Sequence, residues 1–484
     1  MSAFVAPTKL QNRLCRETVV SEITTLPSGN LGVKEMLETR LPVAVVGGGP
    51  IGLAAACHLL ARGEQPLVLE AGAGPGYAVR QWSHVGMFSP WELNTDKEAV
   101  KLLTAHGWRH PQADTFLTGR DLVVQYLEPL ARLPALDPHM HYRTRVTAVS
   151  RKGFDKARTA GRDDQPFVLR LATEGGEQLV EAKAVIDASG TWCTPNPAGA
   201  DGLAALGEYD AAHRIAYGIP DVLGTGRDRY AGKTVMVVGS GHSALNALIE
   251  LETLRRDFPS TRLIWIMRKV HVEAAFGGEE ADALPARGRL GIKVRRLVES
   301  GAVRIYSPFR IARIEQVGGS LAATGDHNGE DRTLAVDEIV VATGFRPDLS
   351  MLRELRLTMD PWLESSGTVR PLIDPNLHSC RSVRPHGARE LAHAENGFFI
   401  VGMKSYGRAG TFLLATGYEQ VRSVVAALTG DIEASHRVEL SLPETSIWSK
   451  GPIGPRPGEG MVKLWSTARP SASRARRRLR GFAS

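Results

Sequence analysis

The chain has 484 residues, 43% hydrophobic and 23% charged, which allows two or three domains with cores and excludes a disordered or fibrous polymer. Its net charge is +7, but nine Lys/Arg and one acid lie between Lys450 and Ser484, leaving the rest of the chain at −1. The folded body is near neutral, so the charge makes no case for nucleic acid as a partner.

Residues 1–41 read as a mixed polar leader with a short helix at Gly32–Thr39 and no basic start leading into an apolar run, hence no secretory signal. The stretch Val43–Ala61 has 19 residues without Asp, Glu, Lys or Arg. Gly47, Gly48, Gly49, Pro50 and Gly52 interrupt it, so it reads as a buried strand–turn–helix and not as a membrane span.

The spacing Gly47-x-Gly49-Pro50-x-Gly52 follows the apolar strand Val43–Val46 and opens a helix running to Ala61. In a dinucleotide fingerprint the first glycine permits a tight turn, the second admits a pyrophosphate, and the third lets helix pack on strand. A strand Pro66–Glu70 follows, and Glu70 stands 18 residues after Gly52, near the place of an acid that hydrogen-bonds a ribose. Residues 77–126 are rich in aromatics, Trp82 among them, as cover for a flat ring or as ordinary core.

The alternating strand Tyr142–Val149, which contains Val146, leads to Phe167–Thr173, a Glu-Gly-Gly turn, and a returning strand Ala184–Gly190. A second fingerprint, Gly239-x-Gly241-x-Ser243-Ala244, follows strand Thr234–Val238 and opens a helix to Leu254. Strand Leu263–Met267 ends on Arg268-Lys269 where the first unit had its acid. A cation there pairs with a 2′-phosphate and favours NADPH; two solvated charges are the bland alternative. Strand Ile311–Val317 then leads through a Gly/Asn-rich turn to Asp337–Gly344, so Ile-Asp-Ala-Ser-Gly190 and Val-Val-Ala-Thr-Gly344 are counterparts in an internal repeat.

A strand at Asn396–Gly402, a glycine loop and a helix at Thr411–Val421 close the body, and the tail from 442, with Arg474–Arg480, reads as disordered. Cys15, Cys57, Cys193 and Cys380 are scattered without a CxxC, which fits a cytoplasmic setting and argues against a dithiol centre. His378, Cys380, His386 and His393 match no zinc spacing, so no metal is expected. The helix after Gly-Ser-Gly-His-Ser makes a phosphate cradle the better reading than a hydrolase nucleophile.

Over residues 42–440 the chain resembles the two-dinucleotide-binding-domain flavoproteins, and within them the flavin-containing monooxygenases. The resemblance rests on both fingerprints, on Ala188–Pro197 as a crossing segment, and on Ala342–Pro347 as a return strand. Leu93-Asn94-Thr-Asp-Lys-Glu98 is similar to a stretch whose asparagine lies by the reactive flavin carbon in that family. The chain departs at two points. Glu208–His213 is the nearest candidate for the F-x-G-x-x-x-H signature, and Met403-Lys404 follows Gly402 where an acid is usual.

The resemblance implies an α/β chain with two Rossmann-like domains, the second inserted in the first, plus β-meanders. The expected segments are a leader 1–41, an FAD domain 42–200 and 336–441, an NADPH domain 201–335, and a tail 442–484. FAD would take Gly47, Gly49, Pro50, Gly52, Glu70, Trp82, Val146 and Gly190, with NADPH on Gly239, Gly241, Ser243, Arg268 and Gly344, and Asn94 catalytic. The implied activity is NADPH-driven oxidation by FAD, with dioxygen and a small molecule as substrates. A same-fold NAD(P)H:acceptor reductase, a nucleotide-binding interaction protein and a homodimer are left open.

Overall fold

The computed structural model describes residues 41–281, 285–375 and 383–440. The expected helix at Gly32–Thr39, the tail from 442, and His378 and Cys380 lie outside them.

Two five-stranded sheets, each parallel throughout, form the frame. The first has the order β18-β9-β1-β2-β5, from Phe398–Ile400 (β18), Ala184–Asp187 (β9), Val43–Val46 (β1), Pro66–Leu69 (β2) and Met140–His141 (β5). The second has the order β10-β17-β11-β12-β13, from Ile215–Tyr217, Glu338–Val341, Thr234–Val238, Arg262–Ile266 and Val303–Tyr306. Strands β1 and β11 are almost unbroken apolar runs because layers cover both sheet faces. The chain leaves the first sheet after β9 and re-enters it only at β18, so the second unit is an insertion in the first.

Each unit carries an antiparallel meander: β6 (Arg145–Arg151), β7 (Phe167–Thr173) and β8 (Gly176–Ala182) in one, β14 (Arg310–Val317), β15 (Ser320–His327) and β16 (Glu330–Val336) in the other. The sequence reading missed β8, β15 and β16, and took Ala184–Gly190 as the partner of β7. In fact β8 completes that hairpin, with Thr173 opposite Gly176, and β9 leaves for the parallel sheet. The miss has a physical cause: the first four residues of β8 and of β16 are exposed, so neither presents an apolar stripe. The expected boundary at 336 also needs correcting. Strand β17 pairs with β11 and β10, so the chain leaves the second unit after 341.

Helix α1 (Pro50–Ala61) is nearly all apolar and buried, because β1 lies on one side of it and α6 (Leu414–Leu428) on the other. A Cβ on Gly417 of α6 would stand 2.5 Å from Ile51 Cδ1. The second helix, α4 (His242–Asp257), buries only Ala244, Leu245, Ala247, Leu248, Leu251 and Leu254, the stripe of a helix with one solvent face. Buried Glu395 clamps the first meander beside β18, accepting from Arg151 Nε at 2.8 Å and Arg162 Nη1 at 2.7 Å. Among the described residues no helix is long and apolar enough to cross a membrane.

Candidate functional site

The two glycine turns lie at the carboxyl ends of β1 and β11, where an open parallel sheet leaves a crevice for ligand. In the first, Gly47 has φ +103°, and its N–H donates to Leu69 O at 2.9 Å. A Cβ there would stand 2.9 Å from Ala188 O. Gly49 precedes α1, whose first residue is Pro50, and nothing lies within 4 Å of where its Cβ would stand. On Gly52 a Cβ would stand 1.8 Å from Gly47 O. The three glycines thus supply a left-handed turn, an open approach and a helix–strand contact. Glu70, just after β2, accepts from Gly48 N and Gly72 N, both at 2.6 Å. Burial pushes its carboxyl up, against the pull of those two N–H groups.

The second turn repeats the plan. Gly239 has φ +125°, donates to Ile266 O at 3.0 Å, and would place a Cβ 2.4 Å from Ala342 O. The space around Gly241 is open, and Ser243 sits in the first turn of α4. Instead of a carboxylate, the Trp265 indole Nε1 holds this turn, donating to Gly239 O at 2.7 Å. Arg268 is exposed and donates to Ala200 O at 2.9 Å, while Lys269 Nζ donates to Ala274 O at 2.7 Å. Both cations stand at the strand end on backbone carbonyls.

Two crossing strands join the units. Pro195 pairs with Phe345, Asn196 N donates to Gly344 O at 2.9 Å, and Arg346 N donates to Thr194 O at 2.9 Å. Gly190 (φ +70°) and Gly344 (φ +89°) each turn the chain just after its return strand. The Trp192 ring stacks on Phe345 with centroids 4.9 Å apart, and its Nε1 donates to Gln81 Oε1 at 2.8 Å. A second bridge joins Phe88, in β3 (Gly86–Pro90), to His242 at the start of α4, with ring centroids 5.3 Å apart.

The remaining expected residues are placed less directly. Trp82 packs in the first core, where a Cβ on Gly119 would stand 2.8 Å from its ring. Val146 is buried in the meander core opposite Leu171, two residues after Thr144, whose N–H reaches Glu70 O at 2.9 Å. Asn94 is fully buried, and its Nδ2 donates to Ser89 O and Pro90 O, both at 2.8 Å. Its Oδ1 accepts from Ser89 Oγ at 3.0 Å. Asn94 does not cap a helix: the next helix, α3, runs Lys97–Ala105, and the Asp96 side chain caps it. His213, offered for the missing signature, lies in an exposed turn, whereas Glu208 is buried and accepts from Tyr217 OH at 2.7 Å.

Among the described residues no group of three His, Cys, Asp or Glu is placed to hold a metal. His386 lies 2.8 Å from Gln420 Nε2, and His393 Nδ1 lies 3.1 Å from Thr358 O. Cys57 is buried in α1, its thiol pushed up chiefly by burial, and Cys193 lies in the turn that leads into Pro195.

Sequence reasoning missed a buried Asp187–Lys404 pair at the end of β9, joined by the exposed Ser189. Lys404 Nζ stands 2.7 Å from Asp187 Oδ2 and donates to Ser189 Oγ at 3.0 Å. The available signal was an aspartate inside an otherwise apolar strand. The openings at Gly49 and Gly241 fit two diphosphates, each beside a helix start.

The chain belongs to the pyridine nucleotide-disulphide oxidoreductases, whose family model matches residues 44–381. It is an FAD- and NAD(P)H-dependent oxidoreductase. It is 29% identical to a ferredoxin–NADP reductase of Salinispora tropica over 66% of this chain and 79% of that protein. It is 30% identical to the indole-3-pyruvate monooxygenase YUCCA1 of Oryza sativa subsp. japonica, over 46% of this chain and 48% of that protein. The fold is similar to that of a bacillithiol disulfide reductase from Bacillus cereus, with a TM-score of 0.60, 18% identity, and 81% and 99% of the two chains covered.

Proposed function

We propose that the chain takes reducing equivalents from NADPH at the second glycine turn, passes them to FAD at the first, and uses dioxygen to oxygenate a small molecule. The observation that carries the two-cofactor part is the pair of open positions, Gly49 and Gly241, in turns that are otherwise closely packed. FAD, when bound, supplies a two-electron acceptor that dioxygen or a separate electron carrier can reoxidise. Gly47 and Gly52 keep the turn tight, Glu70 fixes the Gly48 and Gly72 amides, and the start of α1 faces the phosphates. At the second turn Arg268 and Lys269 provide cations for a 2′-phosphate, which supports NADPH over NADH. No CxxC occurs anywhere in the sequence, so the electrons leave without a dithiol relay of that kind.

Oxygenation is supported by the likeness of Leu93–Glu98 to the monooxygenase stretch and by the burial of Asn94 within it, which keeps water from that side chain. One observation favours a second reading, an NADPH:acceptor reductase. The amide hydrogens of Asn94 are already given to Ser89 and Pro90, so it offers its neighbours no spare donor. Consumption of NADPH and oxygen measured alongside hydrogen peroxide separates the two. An oxygenase bound to its substrate uses oxygen with little peroxide and incorporates one labelled atom. A reductase reduces a one-electron carrier rapidly under argon and incorporates none. Asn94→Ala adds a check: the oxygenase reading expects retained FAD with peroxide per NADPH rising toward one, and unchanged coupling would release Asn94 from any such role.

A further inference from the structure

Asp187 is the last residue of β9, in register with Val46 of β1 on one side and Ile400 of β18 on the other. Its carboxylate therefore stands at the crevice end of an inner strand, with no exposed surface. The next residues, Ala188 and Ser189, are those against which Gly47 packs. Ser189 donates to Asp187 Oδ1 through its N–H at 3.1 Å and its hydroxyl at 2.6 Å, which shapes the turn into Gly190. A buried negative charge so close to the glycine turn repels a diphosphate, because burial weakens the screening that water provides.

Lys404 answers that charge. It is 1% exposed, and its ammonium reaches both Asp187 and Ser189 at the distances given above. Its turn is held from behind: Gly402 N donates to Gln420 Oε1 at 2.7 Å, and Ser405 Oγ donates to Gly402 O at 2.7 Å. A buried Lys–Asp pair is often no more stabilising than an apolar replacement, so stability alone is a weak reason for this pair. We propose that Lys404 is the countercharge that makes Asp187 compatible with the FAD diphosphate, a positioning residue acting through Asp187 and Ser189.

This inference rests on the placing of FAD at the first turn, and its test separates the two. The apoprotein is titrated with FAD by fluorescence quenching for wild type, Lys404→Met, Asp187→Asn and the double variant. Lys404→Met should weaken FAD at least about tenfold, whereas Asp187→Asn should bind at least as tightly as wild type. The double variant, uncharged and of similar volume, should return to within about threefold of wild type. A purely structural pair predicts the opposite for Asp187→Asn, since each single change leaves a buried partner stranded. Weakened binding in Asp187→Asn therefore overturns the proposal, even if Lys404→Met fails to fold. A wild-type apoprotein that takes up no FAD removes the cofactor placing itself, and the inference with it.

Discussion

Gly52 and Ala244 hold the same place in two copies of one turn, yet only one of them has room for a side chain. A Cβ on Gly52 would stand 1.8 Å from Gly47 O, while Ala244 carries its own Cβ fully buried. The two turns match elsewhere: in each, the first glycine bonds to the end of the neighbouring strand and packs on the alanine carbonyl of the return strand. Helix α4 therefore stands off its strand where α1 cannot. The difference follows from surroundings. Helix α1 is pressed between sheet and α6, whereas α4 keeps a solvent face and can move outward.

The comparison is broken most forcefully at that position. Gly52→Ala should cost more than about 4 kcal/mol and leave little soluble, flavin-containing protein, because backbone must shift to admit the methyl group. Ala244→Gly should cost only about 1 kcal/mol, the ordinary penalty of glycine in a helix. Thermal melts of both variants check this. A Gly52→Ala protein that melts near wild type would mean that α1 is as free to move as α4.

Gly49 and Gly241 sharpen the comparison from the opposite side, because neither has protein nearby to collide with. Gly49→Val should leave the apoprotein melting temperature almost unchanged and weaken FAD on the order of a hundredfold, since the new side chain takes the place of the phosphates. Gly241→Val should do the same to NADPH while flavin content stays normal. Equilibrium dialysis of each variant against each cofactor gives the answer, and loss of the wrong cofactor would exchange the two assignments.

The strand ends differ chemically as well. Glu70 binds two backbone amides of its own crevice, whereas Arg268 donates to Ala200 O and Lys269 to Ala274 O. Arg268→Ala should weaken NADPH by about 1.5–3 kcal/mol, at least tenfold, and leave NADH nearly unaffected. Equal losses for both nucleotides would show that the guanidinium does not read the 2′-phosphate.

Much of this frame was legible in the sequence, because its signals are local. Apolar strands run straight into glycine turns, Glu70 and Arg268 each follow the second strand of a unit, and β9 and β17 repeat one pattern. The outer meander strands were not legible, since β8 and β16 are solvated and carry little periodicity. Asn94 was read from a motif, but the motif does not contain its partners: its side chain bonds to Ser89 and Pro90, and the distant Tyr418 OH donates to its backbone O at 2.9 Å. The Asp187–Lys404 pair spans more than two hundred residues, so no window of sequence contains both partners. The domain boundary at 336 failed for a similar reason: a strand's sheet is chosen by pairing partners, not by its own residues.

The smallest effect comes from a half-buried acid that α4 carries and α1 lacks. Helix α1 contains no acid, but α4 carries Glu250, whose Oε2 is buried without a hydrogen-bond partner. Burial, aided by nearby Asp221 and opposed by the Val222 N–H, raises its carboxyl from the ordinary 4.5 to about 7. The folded chain thus holds a proton on Glu250 that the unfolded chain has already lost between those values. Whatever stability this group contributes is fully present below pH 4.5 and is lost as the pH rises through about 7. Glu250→Gln imitates the protonated form at every pH. It should be nearly neutral at low pH and stabilising by about 1 kcal/mol at pH 8, a modest figure because the side chain keeps some access to water. Melting curves of the two proteins at the two pH values measure the difference. A gain of equal size at both would locate the effect in packing and leave the charge on Glu250 without a part in it.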